Sequence, residues 1–229
     1  MTLAGKNALV TGGSRGIGFE ICKALLENEA NVLAVSRNPG SLARAHDALK
    51  GLHVLQADVS LSGDVDGVAD WVKERWARLD ILVNNAGVYS SGEGDLAVAP
   101  DSVFVDTIRI NLLGPYYCTK RVLPFLLESD DPRVINVGSN MGTLSSSLYG
   151  AYSVSKAALN ALTIATANEL RGRVAVNVLN PGWVRTDMSP DAPGDPRTSA
   201  EAALWLLAQP RSITGKLFQD RREAGWSRP

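Results

Sequence analysis

The sequence predicts a three-layer α/β domain built on a doubly wound parallel sheet, and three observations carry that prediction. Six short apolar runs, Ala8–Val10, Asn31–Val35, His53–Leu55, Ile81–Val83, Val134–Val137 and Val174–Leu179, are the length of strands and rich in β-branched residues. Longer stretches with apolar residues at helical spacing lie between them, among them Ile17–Glu29, Val65–Ala77, Ser102–Leu127 and Tyr152–Leu170. The third observation is a glycine-rich turn, Thr11-Gly-Gly-Ser-Arg-Gly-Ile-Gly18, which joins the first strand directly to the first helix. Strands alternating with helices of this length form βαβ units, whose helices cover both faces of a parallel sheet.

Taken in order, the first strand feeds the glycine turn and its helix, and the second ends at Val35-Ser36-Arg37. The third is followed by Ala57-Asp58-Val59 and the fourth by Asn84-Asn-Ala-Gly87. The long helix over Ser102–Leu127 contains Gly114-Pro115 and Pro124, so Pro115 is expected to kink or interrupt it. The fifth strand leads to Ser139, the Ala-rich helix starts near Tyr152, and the sixth strand ends at Pro181-Gly-Trp-Val-Arg-Thr186. Ser189–Pro196 is rich in proline and reads as a loop rather than a boundary. With no repeat, linker or low-complexity tract, residues 1–229 are expected to form a single domain.

Composition narrows the function. Hydrophobic residues make up 45% and charged residues 21%, as in soluble globular proteins, and a net charge of −1 gives no reason to expect nucleic acid or an anionic membrane as partner. The start of the chain lacks a secretory pattern, and no apolar run is long enough to span a bilayer. Cys22 and Cys118 read as small buried hydrophobes, which fits a reducing cytoplasm. His46 and His53 are too few and too far from other ligand types for a metal site, so no metal is expected.

The glycine turn carries the first functional reading. Such a turn lets the backbone approach a pyrophosphate, which then meets the positive end of the following helix. Gly12, Gly16 and Gly18 are assigned to that cradle, with Ser14 and Ile17 of the same turn. At the end of the second strand a dinucleotide site places either an acid, for a ribose 2′-hydroxyl, or an arginine, for a 2′-phosphate. Here there is no acid but Arg37, with Arg15 in the turn as a second clamp. NADP(H) is the expected cofactor.

Tyr152 and Lys156 carry the second reading, because residues four apart share one helix face. By itself this spacing is commoner on solvated helix surfaces. An ammonium about 4 Å from a phenol, at an effective dielectric of about 20, favours the phenolate by up to roughly 4 kcal/mol. That would bring Tyr152 from its ordinary pKa near 10 to about 7, where a general acid or base works best.

Together with Asp58-Val59, the Asn84-Asn-Ala-Gly87 run, Asn111, Ser139 and the Pro181–Thr186 turn, these motifs make the chain resemble the short-chain dehydrogenase/reductase family over nearly its whole length. The resemblance implies a Rossmann fold in which Asp58 and Val59 contact the adenine and Asn85, Ala86 and Gly87 line the cofactor near its ribose. Lys156 would hold the nicotinamide ribose as well as tune Tyr152, Thr186, with the backbone of Val184, would hold the carboxamide, and Pro181 would also contact the cofactor. Asn84 reads as a strand-end structural residue. Asn111 would anchor a water linking Lys156 to solvent, and its alternative is a buried amide bonded to helix backbone. Ser139 would polarise a carbonyl oxygen while Tyr152 donates the proton, giving reversible reduction of a ketone or aldehyde to an alcohol.

The C-terminal stretch and Pro181–Met188 are similar to NADP-dependent carbonyl reductase-like members. Asn140, Met141, Leu144, Tyr149, Trp183 and Met188 are expected to line a shallow pocket for small carbonyl substrates. Ser139 to Tyr152 is short beside the monomeric animal carbonyl reductases, which implies a homodimer or homotetramer. Two alternatives stay open, a 3-oxoacyl reductase of fatty-acid or polyketide type and a non-catalytic NADP-binding sensor; the latter kind typically lacks the serine, tyrosine or lysine kept here.

Overall fold

A computed structural model describes residues 3–89, 96–143 and 150–226. Among the described residues eight strands form one sheet: β1 (Asn7–Thr11), β2 (Asn31–Ser36), β3 (His53–Gln56), β4 (Ile81–Asn84), β5 (Arg133–Val137), β6 (Ala175–Asn180), β7 (Leu217–Gln219) and β8 (Arg222–Ala224). Their order is β3-β2-β1-β4-β5-β6-β7-β8, with every pairing parallel except β7 with β8. The helices are α1 (Gly16–Glu27), α2 (Pro39–Ala48), α3 (Ser62–Arg75), α4 (Asp101–Ile108), α5 (Gly114–Leu126), α6 (Gly150–Glu169) and α7 (Pro196–Leu207).

The strands are apolar without alternation because both faces of the sheet are covered. Successive side chains still point to opposite faces. Ala8 and Val10 of β1, with Val32 and Ala34 of β2 and Ile81 and Val83 of β4, pack into one core with α1 and α7. Leu9, Leu33 and Leu82 pack into the other with α3 and α5. Cys22 and Cys118 lie one in each core, and burial pushes both thiols up, that of Cys118 to about 12. His53 packs between Trp71 and Trp76, and His46 bonds to the Leu52 carbonyl, so both act structurally.

Two features of the elements have local causes. Pro115 interrupts the regular α-helix over Ser102–Leu127: the chain passes from α4 through a π-helical turn, Arg109–Leu113, into α5. Pro115 has no N–H to give to the carbonyl four residues back, which belongs to Asn111, and the turn shifts to wider hydrogen bonding such as Gly114 N–H to Arg109 O. The hairpin of β7 and β8 was not anticipated. Its turn places Asp220 and Arg221 at φ 50° and 60°, a conformation usually signalled by Asn-Gly or Asp-Gly.

At the end of the sheet remote from the strand carboxyl ends, Asp80 is fully buried. It accepts hydrogen bonds from the Ser129 hydroxyl (2.6 Å), the Asn7 N–H (2.9 Å), Lys6 (3.2 Å) and Arg78 (3.3 Å). Burial pushes its carboxyl up, but the bonds from Ser129, Asn7 and Lys6 outweigh that and hold it below the ordinary carboxylate range. The stability it contributes is therefore present above the unfolded carboxyl pKa and lost as pH falls through the folded one. Asp80→Ala is expected to cost about 2–4 kcal/mol in urea unfolding at neutral pH and to flatten the acid limb of the stability curve. A loss under about 0.5 kcal/mol, the size of an ordinary surface change, would show that the cluster holds nothing.

Candidate active site

The carboxyl ends of β1 to β6 open on one edge, and the strand order reverses between β1 and β4, where such sheets place their ligands. A cleft there is lined by the glycine turn, Ser36 and Arg37 at the end of β2, Ala57–Val59 after β3, Asn85–Val88 after β4, and Val137 and Gly138 at the end of β5. Tyr152, Lys156, Pro181 and Thr186–Met188 complete it. The turn is built for close approach. Gly12 sits at φ 64°, where a Cβ would come within 2.9 Å of the Ala86 backbone, and a Cβ on Gly18 would collide with the Gly12 carbonyl.

Thr11 and Asn85 lock the turn in place. The Thr11 hydroxyl accepts from the N–H groups of Asn85 (3.0 Å) and Ala86 (3.1 Å), and the Asn85 amide donates to the carbonyls of Thr11 (3.0 Å) and Gly12 (3.2 Å). Asn85 therefore lines the cleft with its side chain already engaged in the scaffold. Ser14 likewise turns its hydroxyl to Ser41 of α2, 2.9 Å away. Asp58 lines the cleft while its Oδ1 accepts from the N–H and hydroxyl of Ser60. Asn84 lies beneath, donating to Asn136 (2.8 Å) and Thr119 (3.1 Å) in the buried interior.

At the inner end of the cleft, α6 presents Tyr152 and Lys156 together. The Lys156 ammonium is 5.7 Å from the Tyr152 ring centroid and donates to the Val137 carbonyl at 2.8 Å. The hydroxyls of Tyr152 and Ser139 are hydrogen-bonded, and Ser139 also accepts from the Met141 N–H at 3.1 Å. Tyr89 packs edge-on against Tyr152 with centroids 5.1 Å apart. Asn111, fully buried on the π-helical turn, clamps Val88 through both its N–H (2.8 Å) and its carbonyl (2.9 Å), and donates to Ser155 at 3.1 Å. The Asn111 side chain thus bonds to the loop backbone after β4 and to Ser155 of α6, rather than to helix backbone.

The electrostatics correct the expected acidified phenol. Burial raises the Tyr152 pKa above its ordinary value; the Ser139 hydrogen bond opposes this and Tyr89 adds to it. Burial also pulls Lys156 down to about 8. The ammonium bonds to a carbonyl rather than to the phenol, so it does not outweigh the phenol's desolvation. In the protein alone, Tyr152 is protonated at neutral pH.

Other expected residues fall elsewhere. Val184 is buried and pairs with Gly194 instead of lining the cleft. Arg15 lines the cleft but is ion-paired with Asp187. Of the expected substrate pocket, Met188 reaches the cleft, whereas Trp183 is 64% exposed and Asn140 is hydrogen-bonded to Asn180. Met141 is half-buried beside Ser139 and is not on the cleft wall; Leu144 and Tyr149 lie outside the described residues. Tyr89, Val88, Ile110 and Asp187 were missed. No local pattern marks them, because Val88, Asp187 and Ile110 of the π-helical turn reach the cleft, and Tyr89 reaches Tyr152, only through tertiary packing.

The chain is similar to known proteins in both sequence and fold. The family profile described as short chain dehydrogenase matches residues 6–196. A 3-oxoacyl-(acyl-carrier-protein) reductase of Vibrio harveyi is 34% identical over 93% of this chain and 88% of its own. The rhamnolipids-biosynthesis 3-oxoacyl-(acyl-carrier-protein) reductase of Pseudomonas aeruginosa is 38% identical over 86% of this chain and 79% of its own. Among solved structures, the RhlG/NADP active-site complex of Pseudomonas aeruginosa superposes with a TM-score of 0.85 at 33% identity, covering 95% of each chain.

Proposed function

This chain belongs to the short-chain dehydrogenase family of oxidoreductases, and on that premise we propose that it uses NADP(H) to reduce a ketone or aldehyde to an alcohol, reversibly. The observation that carries the proposal is that Tyr152 and Lys156 meet at the inner end of a cleft that begins at a glycine turn, with Ser139 beside Tyr152 just outside the cleft wall. The residues fit the dinucleotide, since side chains on Gly12 and Gly18 would fill or distort the cradle. Gly12, Gly16 and Ile17 would hold the pyrophosphate at the start of α1, Asp58 and Val59 the adenine, and Ala86, Gly87 and Lys156 the ribose. Thr186 and Pro181 would face the carboxamide. Arg37, with no acid at the end of β2, supports a 2′-phosphate.

When bound, the reduced nicotinamide supplies hydride to the carbonyl carbon. Ser139 then donates a hydrogen bond to the carbonyl oxygen, where negative charge develops. Tyr152, kept protonated by burial, passes its proton to that oxygen. Lys156, charged below about pH 8, stabilises the tyrosinate left behind. Asn111 is a positioning residue that fixes Val88 and, through Ser155, the start of α6.

A second reading within the same chemistry, reduction of a 3-oxoacyl thioester, is supported by the Vibrio and Pseudomonas relatives. NADPH oxidation followed by absorbance, with simple ketones and aldehydes in one arm and acetoacetyl thioesters in the other, tests both. Turnover of simple carbonyls supports the first reading, and turnover of thioesters alone moves the assignment to the second. An NADPH preference over NADH of about tenfold or more is expected from one charge-assisted bond to Arg37. NADPH binding with no turnover of any carbonyl would overturn both readings in favour of a non-catalytic sensor.

A further inference from the structure

The rim of the cleft is closed at one point by an ion pair between two chain segments. Arg15 Nη1 lies 2.7 Å from Asp187 Oδ2, and both side chains are 70% exposed. Both residues also line the cleft. Arg15 is the residue before α1, and its side chain plays no part in capping that helix. Asp187 sits in a tight turn whose ends are tied by mutual hydrogen bonds between Thr186 and Ser189, so its backbone is fixed. The two segments touch beside the pair, because a Cβ on Gly16 would lie 3.2 Å from the Thr186 methyl.

An arginine held this way is not free to take a phosphate. Its guanidinium can form charge-assisted bonds to a carboxylate or to a phosphate, and a phosphate arriving at the glycine turn must displace the carboxylate already there. We propose that Asp187 is a specificity-determining residue that competes with the cofactor's 2′-phosphate for Arg15, so that Arg15 reads the phosphate only after releasing Asp187. This rests on the NADP(H) reading above and adds to it a residue that lowers affinity. Exposed ion pairs are individually weak, so the competition alters affinity by a few-fold and does not abolish binding.

Equilibrium binding of NADPH and of NADH to the wild-type protein, Asp187→Asn, Arg15→Ala and the double variant tests the proposal. Asp191→Asn, on the same loop, serves as a charge control. Asp187→Asn is expected to tighten NADPH about two- to fivefold and to leave NADH within about twofold, with no tightening in the Arg15→Ala background or from Asp191→Asn. Unchanged NADPH affinity in Asp187→Asn would overturn this proposal alone. So would equal tightening in the Arg15→Ala background, which would show simple charge repulsion. A wild-type protein that binds neither dinucleotide would overturn the cofactor reading and this proposal with it.

Discussion

Tyr152→Phe is expected to lower carbonyl turnover by about 10²- to 10⁴-fold, the usual worth of a positioned general acid, while NADPH affinity stays within a few-fold. The substitution removes one oxygen. The ring keeps its edge-on packing with Tyr89, and Lys156 keeps its bond to Val137, so neither the cleft wall nor α6 loses support. What disappears is the proton that must reach the substrate oxygen, together with the partner of the Ser139 hydroxyl. The loss should fall on kcat, because the missing group acts as charge develops rather than when substrate binds. Steady-state kinetics beside a direct binding measurement decide it. Near wild-type turnover in a variant that still binds NADPH would remove Tyr152 from the mechanism.

Lys156→Met is expected to move stability and activity in opposite directions. Burial lowers the Lys156 pKa from 10.5 to about 8 in the folded chain. The unfolded chain therefore binds more protons between those values, and stability rises with pH across that window. Below about pH 8 the whole cost of burying the charge is present, on the order of 3 kcal/mol. Methionine has a similar length and no charge, and it forfeits only the hydrogen bond to Val137, worth roughly 1–2 kcal/mol. A net gain of about 1–2 kcal/mol is expected in denaturant unfolding at pH 7, along with loss of the rise toward pH 10. Turnover should nevertheless fall about 10²-fold or more, because the cation that stabilises the tyrosinate is gone. A variant less stable than wild type at pH 7, or a wild-type protein with no rise above pH 8, would show that the buried ammonium is not strained.

These two residues also mark where sequence reasoning stopped. Their shared helix face was legible, since spacing on a helix is a local property. The sign of the tyrosine's shift was not. It depends on how deeply Tyr152 is buried, on Tyr89 from another loop, and on the Val137 carbonyl that takes the ammonium. Arg15 shows the same division. Its place in the glycine turn is written in the chain, but its pairing with a residue 172 positions away is not. Substrate-side residues were the least legible, and Trp183, expected in the pocket, is on the surface.

By itself the sequence determined the six parallel strands, the glycine turn, the helix bearing Tyr152 and Lys156, and the family, because periodicity and turn chemistry act over a few neighbouring residues. The antiparallel β7–β8 edge emerges only in the folded chain. The aim of Asn111 from its π-helical turn onto Val88, the protonation of Tyr152 and the Arg15–Asp187 contact arise from packing between distant segments. Burial and pairing across the sheet join segments far apart in the chain, and no local pattern encodes the environment they create for one another.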